Sequence, residues 1–543
     1  MLSRTSLLGA GASLALLAAL AAAPSASAQV VCETIPAGGA GATATGAAST
    51  ACGADANASG ENSTALGDEA VATGAGGTAI GADTFATGAD STAVGEETVA
   101  LLTGDSAFGA GAAAGGAYAT ATGFESAASG NFATATGAES SAAAVRATAI
   151  GGAASASGAS ATALGANAVA AGDGSIATGY LAQAVEFNAI AIGTASVSSN
   201  NRATAIGSAA AASGVESTAV GSVSEATGMY SSAFGVGSAA SGHSSTAIGR
   251  DADAWGTGSV AIGHDASSTG ASASAVGRTA TAVGASSAAF GAQSYAGGAA
   301  SVAVGANATA DADSAVAVGS VSVASGTSSA AFGSNAQATG IGATAVGAFS
   351  TASGLLGAAF GQGAEATGSE ASALGANSTA TADNSVAIGA NSVADQADTV
   401  SVGAAGAERR VVNVAAGVAA TDAVNLGQLE AQGAATLSAA NAYTDSAVAG
   451  LLLDVDSRFT SLNRELERVG AMSAAFAAMA GNTAGQGTGA ANRLVVGVGG
   501  YGGETAMSIG YSRTISNQVA VNLGFSTTSS GDSMGGGSVG FAW

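Results

Sequence analysis

Short alternations of apolar and small residues recur at one fixed spacing along the first two thirds of the chain. In residues 385–388 (Ser-Val-Ala-Ile) the valine and isoleucine alternate with smaller residues, and a small polar turn follows. Alternation over a few residues is the period of a β-strand. A glycine follows each alternation, and these glycines recur every 14 residues without interruption from Gly53 to Gly403. We call these 26 residues the marker glycines. We therefore predict a stack of 26 similar coils, each with two short strands and two turns.

The two residues before each marker glycine predict the inner and outer faces of a coil. The second residue before the glycine is alanine in 25 of 26 coils, and the exception is Ser401. A 14-residue coil has no room inside for a larger side chain. The residue directly before the glycine is Ile, Val, Leu, Phe or Cys in 23 coils, and it faces outward. This apolar stripe includes Phe234, Ile248, Ile262, Ile388 and Val402. A continuous exposed stripe predicts a partner chain.

From Leu452 onward the apolar residues are spaced in steps of three and four. The seam that they form consists of Leu452, Val455, Phe459, Leu462, Leu466 and Val469. One helix cannot bury such a seam alone, so we predict a parallel coiled coil. The alanine-rich stretch that follows, residues 471–480, suits a helix in a confined space.

The last 50 residues show four sharp alternations, at residues 494–499, 504–513, 518–526 and 537–543. One face of these alternations is apolar and ends in aromatic residues, and the other is small, which is typical of a transmembrane β-barrel with a filled lumen. Four strands cannot close a barrel. Three chains supply twelve strands, and the small inner face leaves room for three helices.

Charge excludes one class of partner. The chain has no lysine, and residues 29–407 hold 26 acidic side chains and four arginines, a net charge of −22. A nucleic-acid-binding surface needs the opposite sign, so we exclude nucleic acid as a partner.

The chain begins with the features of a secretory leader. Arg4 precedes an apolar run from Leu7 to Leu20, and Ala26-Ser27-Ala28 fits a cleavage site, so we predict a signal peptide over residues 1–28. Export permits a disulfide. Cys32 and Cys52, the two cysteines, either form a staple over the first turns or are two unpaired small apolar residues.

Residues 413–429 hold the most specific motifs, Asn-Val-Ala-Ala-Gly and Asp-Ala-Val-Asn-Leu-Gly-Gln-Leu. With the repeats before them, and the heptads, four strands and terminal Trp543 after them, the chain resembles the trimeric autotransporter adhesins, the YadA-like family, over nearly its whole length. The resemblance implies a mostly β homotrimer. Its head is a left-handed parallel β-roll of 14-residue repeats, followed by a short trimeric coiled-coil stalk and a 12-stranded transmembrane barrel with four strands per chain.

The resemblance also implies domain bounds and roles. The predicted domains are a signal peptide (1–28), a repeat head (29–407), a neck (408–430), a stalk entering the barrel (431–480) and a membrane anchor (481–543). The neck residues are Asn413, Gly417, Asp422, Asn425, Gln428 and Leu429. Phe541 and Trp543 are the signal that the outer-membrane barrel insertion machinery reads.

The implied function is adhesion at the surface of a Gram-negative bacterium. The barrel, in outer-membrane lipid, exports and anchors the chain, and the head binds an unknown host, matrix or abiotic surface, or itself. Residues 384–392 are similar to a family motif linked to collagen binding. Most copies here differ at the second strand position, so collagen specificity is not transferred.

No site for chemistry emerges from the sequence. His243 and His264 lack convergent partners, the pairs Asp251/Asp253 and Asp311/Asp313 lack a calcium-binding repeat, and no catalytic set of residues is recognisable. We expect no enzyme activity, metal or cofactor. The alternative function is a surface-displayed β-solenoid with an ice-binding or protective coat role, because Thr-x-Thr pairs such as Thr120/Thr122 occur.

Overall fold

The computed structural model describes residues 30–32, 41–484 and 491–543. The predicted leader, residues 1–28, lies outside the described residues. The chain divides into two compact units, a head that ends at Arg409 and a second unit from Arg410 to Trp543.

The head is built from two parallel sheets that run along the stack. Three-residue strands follow one another every 14 residues from Thr50–Cys52 to Val386–Ile388; Val30–Cys32 precedes them and Val400–Ser401 follows. Two-residue strands follow at the same spacing from Thr43–Ala44 to Val393–Ala394. The long strands form a sheet of 27 strands and the short strands a sheet of 26. Within the repeats, each strand residue pairs with the residue 14 positions on, as Phe234 does with Ile248. The predicted stack of two-stranded coils is confirmed.

The core between the two sheets is a column of small side chains. The alanine of each long strand is fully buried, as at Ala247 and Ala387. The largest fully buried side chains are Thr84, Thr98 and Asp105, so nothing larger fits inside a coil. Several buried serines donate hydrogen bonds from their hydroxyl groups to carbonyl oxygens of the turns. Ser63 Oγ, for example, donates to Gly60 O over 2.7 Å.

The marker glycine recurs because two constraints act on it together. Gly249 has a φ of +134°, which side chains rarely adopt. A Cβ added there would also lie 2.4 Å from the carbonyl oxygen of Gly263 in the next coil. The close spacing of the coils therefore excludes any side chain at this position.

The second unit begins with an irregular segment and continues into one helix, Leu426–Ala484, of 59 residues. The helix extends past residue 480, where the predicted stalk ends, and residues 485–490 lie outside the described residues. No helix in the described ranges is both long enough and apolar enough to cross a membrane.

Four antiparallel strands end the chain: Asn492–Tyr501, Glu504–Ser516, Val519–Thr528 and Ser533–Phe541. They pair in sequence order as one sheet, so the four predicted strands are confirmed with somewhat longer bounds. The helix lies on the small face of this sheet, where Ala471, Met472 and Ala475 are buried against Ala506.

Candidate functional sites: the outer faces of the head and the membrane anchor

The apolar stripe runs along the outer face of the long-strand sheet. Phe234, Ile248 and Ile262 are consecutive in register and remain 36–40 % exposed in the single chain. Ile388 is 43 % exposed, and Val402 in the last coil is half-buried. The stripe is therefore an open apolar surface that the chain does not cover by itself.

The head also holds the only group of three potential metal ligands among the described residues, Asp251, His264 and Asp265. The 14-residue register brings Asp251 beside Asp265, and His264 Nδ1 lies 2.6 Å from Asp265 Oδ2. The guanidinium of Arg250, however, lies 3.5 Å from Asp251 Oδ2 and also contacts His264 Nε2. This arginine supplies the positive charge that a bound metal would supply, so the arrangement is an ion-paired cluster between neighbouring coils. His243, by contrast, lies edge-on to Tyr230 at a ring-centroid distance of 5.7 Å.

The first coils carry a file of carboxylates at one turn. Asp55, Glu69 and Asp83 occupy equivalent positions in three successive coils. The negative charge of Asp83 and a hydrogen bond with it raise the pKa of Glu69, and Asp68 and Asp55 add to the repulsion. This edge of the head is thus strongly anionic.

The structure brings the predicted neck residues together at the start of the helix. Asn425 Oδ1 accepts from the Gln428 backbone amide over 3.0 Å, and Gln428 Oε1 accepts in return from the amide of Asn425 over 3.3 Å. This reciprocal pair is a capping box, and it fixes the helix start. Gln428 also bonds the amide and the carbonyl of Gly417 over 2.8 and 2.9 Å.

Two further neck residues tie the irregular segment together. Asp422 Oδ2 accepts from the amides of Val418 and Ala419 over 2.8 and 2.9 Å, and these bonds lower the pKa of Asp422. Asn413 takes a left-handed φ of 63°. Leu429 is exposed at 63 %, which leaves it available to another chain.

The predicted coiled-coil seam is open along its whole length in the single chain. Its six side chains are 38–66 % exposed. They are Leu452, Val455, Phe459, Leu462, Leu466 and Val469. Within the part of the chain that the structure describes, nothing covers this seam.

The anchor sheet has the two faces that the alternation predicted. Met507, Ile509 and Tyr511 are 40–51 % exposed on one face, and Ser508 is buried on the other. Ser508 Oγ donates to Ala475 O of the helix over 2.7 Å. A Cβ on Gly499 would lie 2.0 Å from Ala475 N, so the small face permits the close approach of the helix.

Comparisons with known proteins match the three parts of the chain separately. Fifteen matches to the "YadA head domain repeat", some of them overlapping, lie between residues 44 and 405. The "coiled stalk of trimeric autotransporter adhesin" matches residues 410–451, and the "YadA-like membrane anchor domain" matches residues 484–543. The chain is a YadA-like trimeric autotransporter adhesin.

A comparison with solved structures also gives a match. The collagen-binding domain of the Yersinia adhesin YadA is 27 % identical, with 38 % of this chain and 85 % of that chain covered and a TM-score of 0.17. A comparison with curated proteins gives no match.

Membership of the YadA-like family indicates the assembly and the location of the chain. The family is trimeric with a membrane anchor, so the chain assembles with two further copies, and its four-stranded sheet is consistent with one chain's contribution to the anchor barrel. The membrane anchor and the adhesin domains indicate the outer membrane and the cell surface. The ice-binding and protective-coat alternatives gain no specific support.

Proposed function

We propose that the head adheres through many weak contacts repeated along the stack rather than through one binding site. The observation that carries the proposal is the unbroken register from Gly53 to Gly403, which presents equivalent outer positions in every coil. Weak contacts repeated along a rod and across three chains raise the effective concentration of each further contact.

The outer face of the short-strand sheet is the adhesive face in this proposal. The long-strand sheet carries the apolar stripe, which trimer formation would cover. On the short strands, Thr351, Glu365 and Thr379 are successive outward residues, half-buried or exposed, and each is followed by a buried alanine. Such a file offers hydroxyl and carboxylate groups about every 4.8 Å. The ligand is a host, matrix or abiotic surface, or another head.

A deletion series tests the distributed model. Removing one, four or eight whole 14-residue coils should shorten the rod by about 4.8 Å per coil and reduce adhesion gradually. Removing seven residues reverses the register and should disrupt the local fold. Rod length by electron microscopy and adhesion are measured together, at equal surface amounts. A sharp loss of adhesion on removing one particular coil would show a discrete site and contradict the proposal.

Trp255 provides the strictest single-residue test of this model. It is the head's one tryptophan and is 57 % exposed beside the short strand Asp253–Ala254. Exposed tryptophans often dominate discrete binding sites. In the distributed model Trp255→Ala leaves adhesion nearly unchanged, as does the neighbouring-coil control Ser241→Ala. A large loss for Trp255→Ala alone would favour a discrete site.

We further propose that a signal peptide cleaved after Ala28 exports the chain, and that the barrel insertion machinery reads Phe541 and Trp543 before the anchor enters outer-membrane lipid. Phe541 and Trp543 are strongly exposed in the single chain, which supports their accessibility to a receptor. Trp543→Ala should lower outer-membrane assembly without changing head stability. Fractionation of a chain lacking residues 494–543 with the outer membrane would contradict the assignment of the anchor.

The two cysteines form the proposed staple at the start of the head. The strand Val30–Cys32 pairs in register with Thr50–Cys52 and places the backbones of Cys32 and Cys52 side by side. Neighbouring strands are about 4.8 Å apart, a spacing that a disulfide can bridge. Alkylation of the exported protein should modify neither thiol before reduction and both after it. Free thiols in the unreduced protein would contradict the pairing.

A further inference from the structure

One helix side chain contacts both hairpin turns at one end of the anchor sheet. Arg468 Nη1 lies 3.0 Å from Asp532 Oδ2, in the loop before the fourth strand. Arg468 Nε lies 3.6 Å from Glu504 Oε1, at the first residue of the second strand. The guanidinium therefore connects the helix to the turns on either side of the second and third strands.

This arginine is more shielded than Arg202, Arg250 and Arg458, each of which also has a carboxylate partner. Its side chain is 29 % exposed and that of Glu504 is 22 %, whereas Arg202 and Arg458 are 61 % and 79 % exposed in their pairs. Ion pairs on an open surface contribute little, whereas several charges that form a network, such as this guanidinium and two carboxylates, contribute more.

The helix also packs closely against the first hairpin at the same level. A Cβ on Gly502 would lie 2.5 Å from the side chain of Glu467, and a Cβ on Gly470 would lie 2.5 Å from the ring of Tyr501. The helix and the first hairpin turn are therefore closely packed on both sides of Arg468.

The chain direction identifies this end of the sheet. The helix residues buried against the small face, Ala471 to Met479, lie on the C-terminal side of Arg468. On its N-terminal side the helix runs back to Leu426 and the neck. The turns that Arg468 contacts are therefore at the mouth through which the helices leave toward the head, which is the outer mouth of the barrel.

We propose that Arg468, with Asp532 and Glu504, is a latch that fixes the helix in the outer mouth and keeps the barrel closed once the head is outside. In the trimer, three guanidiniums each hold one helix against two turns. Arg468 is a positioning residue in this role, because it acts on the pore through the position of the helix.

The test is ion conductance of the purified full-length trimer in a planar lipid bilayer in potassium chloride. Arg468→Gln and Asp532→Asn each break the shorter contact and should raise the open fraction about tenfold, since three pairs are lost per trimer. Arg468→Lys keeps the charge and should stay closed. The matched control is Arg458→Gln, which removes an ion pair with Asp454 inside the helix and no contact with the sheet.

The double variant Arg468→Gln/Asp532→Asn distinguishes a latch from two unrelated defects. If the two residues act through each other, the open fraction of the double-variant pore is no larger than that of either single variant. Additive opening, or closed pores in both single variants, would overturn the proposal. If Arg468→Gln fails to form trimers, Asp532→Asn alone decides, because Asp532 lies in a loop and is 50 % exposed. A closed Asp532→Asn pore then overturns the latch.

Discussion

At the scale of single residues, the 14-residue register turns spacing in the sequence into contact in space. Arg202 pairs with Glu216 at 2.9 Å, and the rings of Tyr118 and Phe132 stack with centroids 5.4 Å apart. Such neighbours can be read from the period alone. The contact of Arg468 with Asp532 spans 64 residues and two different elements, so no local pattern could have indicated it.

The marker glycine gives a prediction with an internal control. Gly249→Ala combines a strained φ with a Cβ 2.4 Å from a backbone oxygen, and we expect a loss of roughly 3 kcal/mol or more in local stability. Gly258→Ala also needs a positive φ, but the nearest atom to its Cβ is 3.7 Å away, so about 1 kcal/mol is expected. Hydrogen exchange of the surrounding coils measures both, and equal losses would contradict the packing argument.

Acidification should act in opposite directions on two parts of the chain. Repulsion from Asp83 raises the pKa of Glu69 above its ordinary value of 4.5. The contribution of Glu69 to the stability of the folded head is therefore complete below pH 4.5 and is lost as the pH rises through the folded pKa. Backbone amides lower the pKa of Asp422 below 3.8, so its stabilisation is present above that value and is lost as the pH falls through the folded pKa.

Amide exchange followed from pH 7 to pH 3 tests these two signs. Glu69→Gln should slow exchange in its coil at pH 7 and have no effect at the lowest pH. Asp422→Asn should speed exchange in the neck at pH 7, with a difference that shrinks on acidification. The reverse order of either effect would contradict the assignment.

At the scale of elements, local periodicity predicted the type of the coil strands, the helix and the anchor strands better than their ends, but it did not indicate the strand Val30–Cys32. The alternation gave both kinds of coil strand and all four anchor strands. The helix, however, begins at Leu426, within the range assigned to the neck, because the capping box of Asn425 and Gln428 fixes its start. It continues to Ala484, past the predicted end of the stalk at residue 480. The helix start could not be predicted from periodicity, because the capping side chains belong to an irregular segment without a repeating pattern.

The apolar stripe is an element whose role differs from that of equally exposed residues elsewhere. Ile388 on the stripe and Val283 beside the short strand Thr281–Ala282 are 43 % and 42 % exposed in the single chain. In the trimer, Ile388→Asp buries an unpaired charge and should cost about 3–5 kcal/mol per chain, whereas Val283→Asp should cost little. Heat resistance of the trimer on gels compares them. Equal melting would show that the stripe is not at the trimer interface.

At the scale of the whole molecule, composition and architecture agree. A head of 26 coils extends roughly 125 Å at about 4.8 Å per coil. Every coil buries the same small side chains, alanine and serine, so further coils can be added without a change in the core. The net charge of −22 over residues 29–407 keeps neighbouring rods apart. The sequence does not identify the ligand, because a repeated face carries no unique constellation of residues.

Three surfaces of one chain, the stripe, the helix seam and the open edges of the anchor sheet, are incomplete without further copies. The most direct test of this account is the native mass of the full-length protein in detergent, corrected for bound detergent. Three chains of at most 49.5 kDa each should remain together as a single species. A monodisperse monomer would contradict the account.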